Sequence, residues 1–221
     1  MIGRALPGML VGFVSLVPLA AVLFGCAGRL DLPWFWAYLA AWAASAVVGP
    51  LVADPTLLEE RIHPGPGAKD AAFTALFLPL SLMPFVVAGL DVRFHWSDAV
   101  STTVRVLGLG AVVAGLAVMI WAIAVNRFFS SVIRIQTDRG HHVVTGGPYR
   151  WVRHPGYAAA PFLFVGTGFA LGSRWAALAA VPMLLGVLRR TTQEDRVLRE
   201  ELPGYCDYAA KVPYRLVPGV W

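Results

Sequence analysis

Residues 104–125 read VRVLGLGAVVAGLAVMIWAIAV, an apolar run with no charged side chain after Arg105. A helix needs about 20 mostly apolar residues to cross the hydrocarbon core of a bilayer, and this run has that length. Three similar runs, each free of charge, occupy residues 7–28, 34–52 and 71–90. The sequence therefore predicts four membrane-spanning helices within its first 125 residues.

A fifth apolar stretch, residues 158–188, is too long for one span. Gly172, Ser173 and Arg174 interrupt it near the middle, and such residues are typical of a turn. We therefore expect a tight helical hairpin of two shorter spans. The predicted fold is an all-α, polytopic membrane bundle of about six transmembrane segments that ends in this hairpin.

Composition agrees with a membrane protein and excludes several other classes. The 221 residues are 57% hydrophobic and 14% charged, whereas about 25% are charged in an ordinary soluble domain. The two cysteines, Cys26 and Cys206, offer neither a disulfide framework nor a cysteine-rich metal site. No ionisable side chain lies in the middle of the first four segments, which argues against a transporter or proton pump.

The polar residues divide the chain into two regions. Residues 1–125 form the predicted four-segment bundle, and residues 126–221 form a candidate catalytic region made of a polar loop, the hairpin and a polar tail. Residues 23–26, LFGC, resemble a lipoprotein cleavage site, but the bulky Phe24 fits such a site poorly. We therefore expect the first segment to be retained as a span.

Basic residues predict the orientation. With six segments, 14 of the 18 lysines and arginines, Lys69 among them, fall on the side of the termini, the loop and the tail. The positive-inside rule makes that side cytoplasmic. We expect a multi-pass protein of the cell membrane with both termini and the functional site in the cytoplasm. The net charge of +5 fits orientation and anionic lipid, and nothing in the sequence indicates nucleic-acid binding.

The loop contains a dense polar stretch, HHVVTGGPYRWVRHPGY, at residues 141–157. Pro155 suits the first turn of a helix that enters the membrane, so a plain interfacial elbow is one interpretation. The density of histidine, tyrosine, arginine and glycine exceeds what a connector needs. Metal binding by His141, His142 and His154 is a less favoured alternative, because adjacent histidines and few carboxylates make a poor ligand set.

The tail continues the second arm of the hairpin. Arg190 and Glu194 are four residues apart, so they share one face of a continuing helix, and the plainest interpretation is a solvated ion pair. Residues 202–204, LPG, should end that helix. We expect Tyr205 and Tyr208 to begin an aromatic, basic stretch that lies at the membrane interface.

The combined pattern resembles the isoprenylcysteine carboxyl methyltransferases, a family that shades into the phospholipid N-methyltransferases. The resemblance covers about the last 80 residues, and its spacing is far more specific than any single piece. The matching residues are Gly147, Pro148, Tyr149, Arg153, His154, Pro155, Tyr157, Glu194, Asp195, Tyr205 and Tyr208. Two departures are an Asp where the family's acidic pair has a second Glu, and a short LPGY turn before the tyrosines.

The resemblance implies an S-adenosylmethionine pocket at the cytoplasmic face, closed by the loop and the tail. It implies that His141, His142, Val143, Val144 and Tyr149 line the adenosine side. It implies that His154, Pro155, Gly156 and Tyr157 meet the ribose and methionine portion. Glu194 is expected to hold the cofactor ammonium and Arg190 the acceptor carboxylate, and Arg153 completes the expected catalytic set.

These expectations predict methyl transfer, and they leave more than one possible acceptor. An ionised carboxylate needs no strong base, and a guanidinium can orient it through two hydrogen bonds, so O-methylation of a carboxylate is favoured. The acceptor would be a lipid-like molecule that enters from the bilayer. One alternative is methylation of a small thiol or a lipid amine, for which His154 or Glu194 would remove a proton. Another is a non-enzymatic membrane scaffold of the same fold.

Overall fold

The computed structural model describes residues 2–66 and 71–221, and all regular secondary structure in these residues is helical. The α-helices are α1 (Ile2–Ala27), α2 (Pro33–Val52), α3 (Leu57–Ile62), α4 (Ala71–Phe94), α5 (Thr102–Val125), α6 (Pro155–Ala158), α7 (Ala160–Ala170), α8 (Arg174–Ala179), α9 (Val181–Glu201) and α10 (Tyr205–Lys211). Two short 3₁₀ helices, Thr137–Arg139 and Gly147–Arg150, lie in the loop between α5 and α6. The all-α prediction is confirmed.

Among the residues that the structure describes, four helices are long and apolar enough to cross a membrane. They are Gly3–Ala27, Pro33–Val52, Ala75–Phe94 and Thr102–Val125, and they coincide with the four predicted segments. Their outward faces carry exposed leucine, valine and phenylalanine side chains, as expected of surfaces in contact with lipid. The chain is therefore a multi-pass membrane protein.

The predicted hairpin is present, and its arms are interrupted helices. The chain turns at residues 171–173, where Gly172 has a φ of 81° and the Ser173 hydroxyl caps α8 by accepting a hydrogen bond from the Ala176 amide. One arm consists of α6 and α7, and the other of α8 and α9. Helix α6 begins at Pro155, as predicted. Because α7 has only 11 residues and a break at Ala180 separates α8 from α9, neither arm is a single uninterrupted span.

The hairpin packs into the same core as the first four helices. Helix α5 lies against α7 so closely that a Cβ on Gly108 would approach the Ala170 amide nitrogen to 2.5 Å. The Tyr38 hydroxyl on α2 pairs with the Thr167 Oγ1 on α7 at 2.9 Å. The hydrophobic core contains buried side chains from both halves of the chain. The predicted boundary at residue 125 is a division by function. It does not correspond to two separate hydrophobic cores, because both regions contribute to one core.

The two ends of the bundle differ in polarity. Four arginines lie at or beside helix ends on one side of the bundle: Arg29, Arg93, Arg105 and Arg174. At that end, Arg105 packs against Gly172 of the hairpin turn. The polar loop and tail occupy the opposite end. Lys69, which the sequence assigns to that end, lies outside the described residues. The membrane side that each end faces stays a prediction.

Candidate functional site

The polar cap forms where α9 emerges from the bundle and meets the loop before α6. Two backbone hydrogen bonds join the loop to the tail, from the Arg153 amide to the Tyr214 carbonyl at 3.0 Å and from the His154 amide to the Arg215 carbonyl at 2.9 Å. The loop and the tail therefore form one structural unit, as the sequence predicted from their shared side.

Asp195 is the centre of this unit. It is 1% exposed, and Arg153 donates to both of its oxygens, from Nε at 2.8 Å and from Nη2 at 3.1 Å. Its further partners are His154 Nε2 at 3.2 Å, the Tyr205 hydroxyl at 3.0 Å, Arg199 Nε at 3.1 Å and Arg215 Nε at 3.1 Å. One carboxylate thus joins the loop, α9, α10 and the tail.

The protonation states in this cluster suit their contacts. Burial alone would raise the pKa of Asp195, but the hydrogen bonds from His154, Arg153 and Arg215 outweigh it and hold that pKa well below its usual range. Burial and the neighbouring Asp195 carboxylate raise the pKa of Tyr205. Asp195 is therefore an ionised acceptor, and the Tyr205 hydroxyl stays protonated and donates.

Two tyrosines of the tail are buried inside the cap, and their place relative to the membrane interface stays a prediction. Tyr205 and Tyr208 are buried, with 4% and 6% of their surfaces exposed. The Tyr208 hydroxyl donates to the Tyr149 carbonyl at 2.7 Å, so α10 folds inward onto the loop. Both hydroxyls therefore have protein partners inside the cap, as buried tyrosine hydroxyls usually do.

Arg190 and Glu194 share one face of α9, as predicted, and Tyr157 lies between them. The Tyr157 hydroxyl donates to Glu194 Oε2 at 2.6 Å and accepts from Arg190 Nε at 2.6 Å. Arg190 Nη2 also donates to the Ser131 carbonyl at 2.7 Å. Only 6% of the surface of Arg190 is exposed. Arg190 is therefore buried in the cap, and the alternative of a solvated surface ion pair with Glu194 does not describe it.

Glu194 remains the more accessible carboxylate of the acidic pair. Its side chain is 28% exposed, against 1% for Asp195, and one of its oxygens lies 3.8 Å from His154 Nδ1. Arg153 is committed to other partners, because it binds Asp195 and donates from Nη1 to the Val212 carbonyl at 2.8 Å. The geometry favours Glu194 for contact with a ligand and Arg153 for holding the cap together.

The remaining loop residues line the side of the cap next to α5. Tyr149 is buried, and its hydroxyl accepts from Asn126 Nδ2 at 3.0 Å. Val143 and Val144 are half-buried against the cluster that contains Tyr149. These residues offer an apolar wall beside the polar groups of the cap.

The two adjacent histidines pack on one aromatic ring. The His141 and His142 rings have centroids 4.5 Å and 5.0 Å from that of Phe128. Burial, and then the nearby His142 and arginines, lower the pKa of His141 to about 4, so it is neutral at physiological pH. Among the described residues, no group of three potential ligands from His, Cys, Asp and Glu is arranged to hold a metal ion.

Pro155 and Gly156 begin α6 at a point of close contact. A Cβ on Gly156 would lie 2.6 Å from Cζ of Phe129, so the ring of the loop segment rests on the bare backbone of α6. Both residues are buried. This contact explains why a glycine precedes Tyr157, whose position depends on α6.

The structure thus brings Arg153, His154, Tyr157, Arg190 and Glu194 into one cluster and leaves His141 and His142 beside Phe128. Sequence analysis missed Asp195 as the centre of the cap, although the acidic pair contained the signal. Two surface cavities, of about 350 Å³ beside Trp96 and Trp175 and about 280 Å³ beside Arg189 and Trp221, are lined by residues outside this cluster.

This protein is therefore an all-α membrane protein whose polar cap is formed by a loop and a C-terminal tail. The family profile described as phospholipid methyltransferase matches residues 103–202. A probable protein-S-isoprenylcysteine O-methyltransferase of Oryza sativa subsp. indica is 32% identical over 124 residues, which is 55% of this chain and 62% of that protein. Protein-S-isoprenylcysteine O-methyltransferase B of Arabidopsis thaliana is 28% identical over 148 residues, 66% of this chain and 73% of that protein.

The chain spans less than two thirds of the length of the rice relative that it matches. A solved structure of the eukaryotic intramembrane Ras methyltransferase ICMT is 17% identical, with a TM-score of 0.48 and coverage of 99% of this chain and 94% of that one. The chain is similar to the membrane methyltransferases that include the isoprenylcysteine carboxyl and phospholipid methyltransferases. The resemblance drawn from the sequence is confirmed at this level.

Proposed function

We propose that this protein is an S-adenosylmethionine-dependent methyltransferase that O-methylates a carboxylate on a lipid-like acceptor. The observation that carries the proposal is the Arg190–Tyr157–Glu194 arrangement, in which one hydroxyl contacts a guanidinium and a carboxylate at 2.6 Å each. A cation and an anion held side by side suit two ligands of opposite charge, an acceptor carboxylate and a cofactor ammonium.

The residues of the cap fit the cofactor. Glu194 is the exposed member of the acidic pair and can pair with an ammonium, while half-buried Val143 and Val144 provide an apolar wall for a nucleobase. When bound, S-adenosylmethionine would supply a methyl group already activated by its sulfonium, so no metal is required. His141, His142, Tyr149, His154, Pro155 and Gly156 complete the proposed pocket.

The division of labour among the residues follows from their contacts. Arg190 orients an acceptor carboxylate, because a planar guanidinium can donate two parallel hydrogen bonds to it. Glu194 fixes the cofactor on the same helix face, one turn away, which supplies the close positioning that methyl transfer needs. An ionised carboxylate carries no proton, so the chain need not provide a base. Arg153 and Asp195 hold the loop and tail closed and exclude water.

Binding of S-adenosylhomocysteine, measured by calorimetry in detergent, tests the pocket. Glu194→Ala should abolish binding, because it removes the partner of the ammonium. The matched control is Glu200→Ala, an exposed glutamate on the same helix, which should bind normally. Binding that survives Glu194→Ala unchanged would overturn the cofactor assignment.

A second acceptor class has its own support, because the matching family profile is described as phospholipid methyltransferase. Three probes separate the acceptors: an N-acetylated S-farnesyl cysteine for carboxylates, phosphatidylethanolamine for amines, and a small alkyl thiol. With the carboxylate probe, Arg190→Lys should lower kcat/KM by at least about tenfold at normal cofactor affinity, since lysine keeps the charge and loses the fork. Methylation of the amine or thiol probe alone would replace our proposal with the alternative.

We also propose that the cap faces the cytoplasm, on the support of the basic residues at that end. After replacement of Cys26 and Cys206, single cysteines at Gly140 and Gly219 should react only from the cytoplasmic side. A cysteine at the exposed Arg174, beside the hairpin turn, should react only from the other side. Labelling of Gly140 and Gly219 from opposite sides would contradict this topology.

A further inference from the structure

A second buried charge cluster lies between α3 and the loop that follows α5, outside the matching motifs. Glu60 of α3 is 5% exposed and Arg134 of the loop is also 5% exposed. Arg134 donates to both oxygens of Glu60, from Nε at 2.9 Å and from Nη2 at 2.6 Å. Arg134 Nη1 also donates to Asp138 at 2.8 Å. A bidentate pair with this burial fixes geometry as well as charge.

The same short helix makes two more contacts with the loop. The Ser130 hydroxyl donates to Glu60 Oε1 at 2.9 Å, and the Ser131 hydroxyl donates to the Arg61 carbonyl at 3.2 Å. We call Glu60, Ser130, Ser131 and Arg134 the α3 clasp. It holds loop residues that are at least 70 positions away in the sequence, so nothing local determines it.

The clasp holds the backbone that contacts Arg190. The Ser131 carbonyl accepts from Arg190 Nη2 at 2.7 Å, and Arg190 Nε donates to the Tyr157 hydroxyl at 2.6 Å. An unbroken series of contacts therefore runs from Glu60 through the loop backbone to Arg190. Energetic coupling can be carried by such a hydrogen-bond network between secondary-structure elements, here α3 and α9.

We propose that Glu60 and Arg134 are positioning residues that set the orientation of Arg190 toward the acceptor. The role of Arg190 toward an acceptor rests on the proposed function. The coupling between the α3 clasp and Arg190 rests only on the contacts described above. The α3 clasp makes no hydrogen bond to the acidic pair or to the proposed cofactor residues at any contact described above, and Arg134 acts on His141 through its charge alone. Its loss should therefore affect the handling of the acceptor and leave cofactor affinity intact.

Glu60→Gln is the primary variant, because it removes the charge and keeps the shape. Its matched control is Glu59→Gln, which makes the same change at the exposed neighbouring position of α3. Ser130→Ala is a milder second variant that removes one hydrogen bond to Glu60 and leaves its charge in place. It keeps the test valid if Glu60→Gln does not fold.

The first readout needs no acceptor. In detergent micelles with ¹⁵N-labelled arginine, the Arg190 Nε–H, which is bonded to Tyr157, should exchange with solvent about tenfold faster in Glu60→Gln and measurably faster in Ser130→Ala. The Arg153 Nε–H, bonded to Asp195, should be unchanged and serves as the internal reference. Unchanged Arg190 exchange in both variants would overturn the coupling, whether or not the protein proves to be a methyltransferase.

The second readout uses the S-farnesyl cysteine probe. Glu60→Gln should lower kcat/KM between about tenfold and a hundredfold, because a small misplacement of an orienting group has effects of this size. Glu59→Gln should match the wild type, and S-adenosylhomocysteine affinity should be unchanged in both. Equal loss of cofactor affinity and turnover would show a general structural role and contradict the inference. A wild type that methylates no probe would refute the proposed function, and Arg190 exchange would still decide the coupling.

Discussion

Neutralising Asp195 should destabilise the protein more than any other conservative change in the cap. Asp195→Asn keeps the size and one acceptor oxygen and removes the charge that faces Arg153, whose side chain is 2% exposed. Leaving one partner of a buried ion pair without its counter-charge costs about 3–5 kcal/mol. For a protein of this size that cost corresponds to a fall in Tm of about 6–20 °C, at about 2–4 °C per kcal/mol.

Thermal unfolding in detergent measures this effect, with Asp207→Asn as the matched control. Asp207 lies on α10 and is exposed, so its substitution should change stability by no more than about 0.5 kcal/mol. If Asp195→Asn unfolds within about 2 °C of the wild type, or no lower than Asp207→Asn, the cap does not depend on this carboxylate.

The same substitution predicts a pH dependence. Because the folded-state pKa of Asp195 is lowered, its stabilisation is present above its unfolded pKa of about 3.9 and is lost as the pH falls below that value. The difference in Tm between the wild type and Asp195→Asn should be constant from about pH 6 to 8 and should shrink below about pH 4. A difference that shrinks already near neutral pH would indicate that Asp195 is not held ionised.

Three further predictions concern other parts of the fold. Gly156→Ala should lower stability by about 1–3 kcal/mol, since the new Cβ meets Phe129, and Phe129→Leu in the same chain should restore part of the loss. Tyr38→Phe should cost about 0.5–1.5 kcal/mol, and a double-mutant cycle with Thr167→Val should show that the two side chains are coupled. The His141 ring should titrate by NMR with a midpoint of about 4, as burial disfavours its charged form.

Each of these predictions has a result that would contradict it. Gly146→Ala is the control for Gly156→Ala, because its Cβ would meet only Val125 at 3.4 Å, and equal effects at both glycines would remove the argument from Phe129. Additive losses in the Tyr38 and Thr167 cycle would mean that their hydroxyls do not interact. A midpoint above 6 for His141 would mean that its ring is solvated.

The architecture of the membrane region could be predicted from local properties of the sequence. The length of an apolar run decides whether a helix can span a bilayer, and that length is a local property. For the same reason, the break at residues 171–173 and the start of α6 at Pro155 were predictable from turn and proline chemistry. The sequence also predicted that loop and tail meet, because an even number of crossings returns the chain to the same side.

The pairing of the polar side chains could not be predicted in this way, because it depends on how the helices pack. Tyrosines are typical of a membrane interface, but Tyr205 and Tyr208 are buried, and their hydroxyls donate hydrogen bonds to Asp195 and to the Tyr149 carbonyl. The partners of Glu60 and Asp195 lie up to 74 and 42 residues away. Helical periodicity relates residues three or four positions apart and carries no information about such contacts, which arise only when the helices have packed.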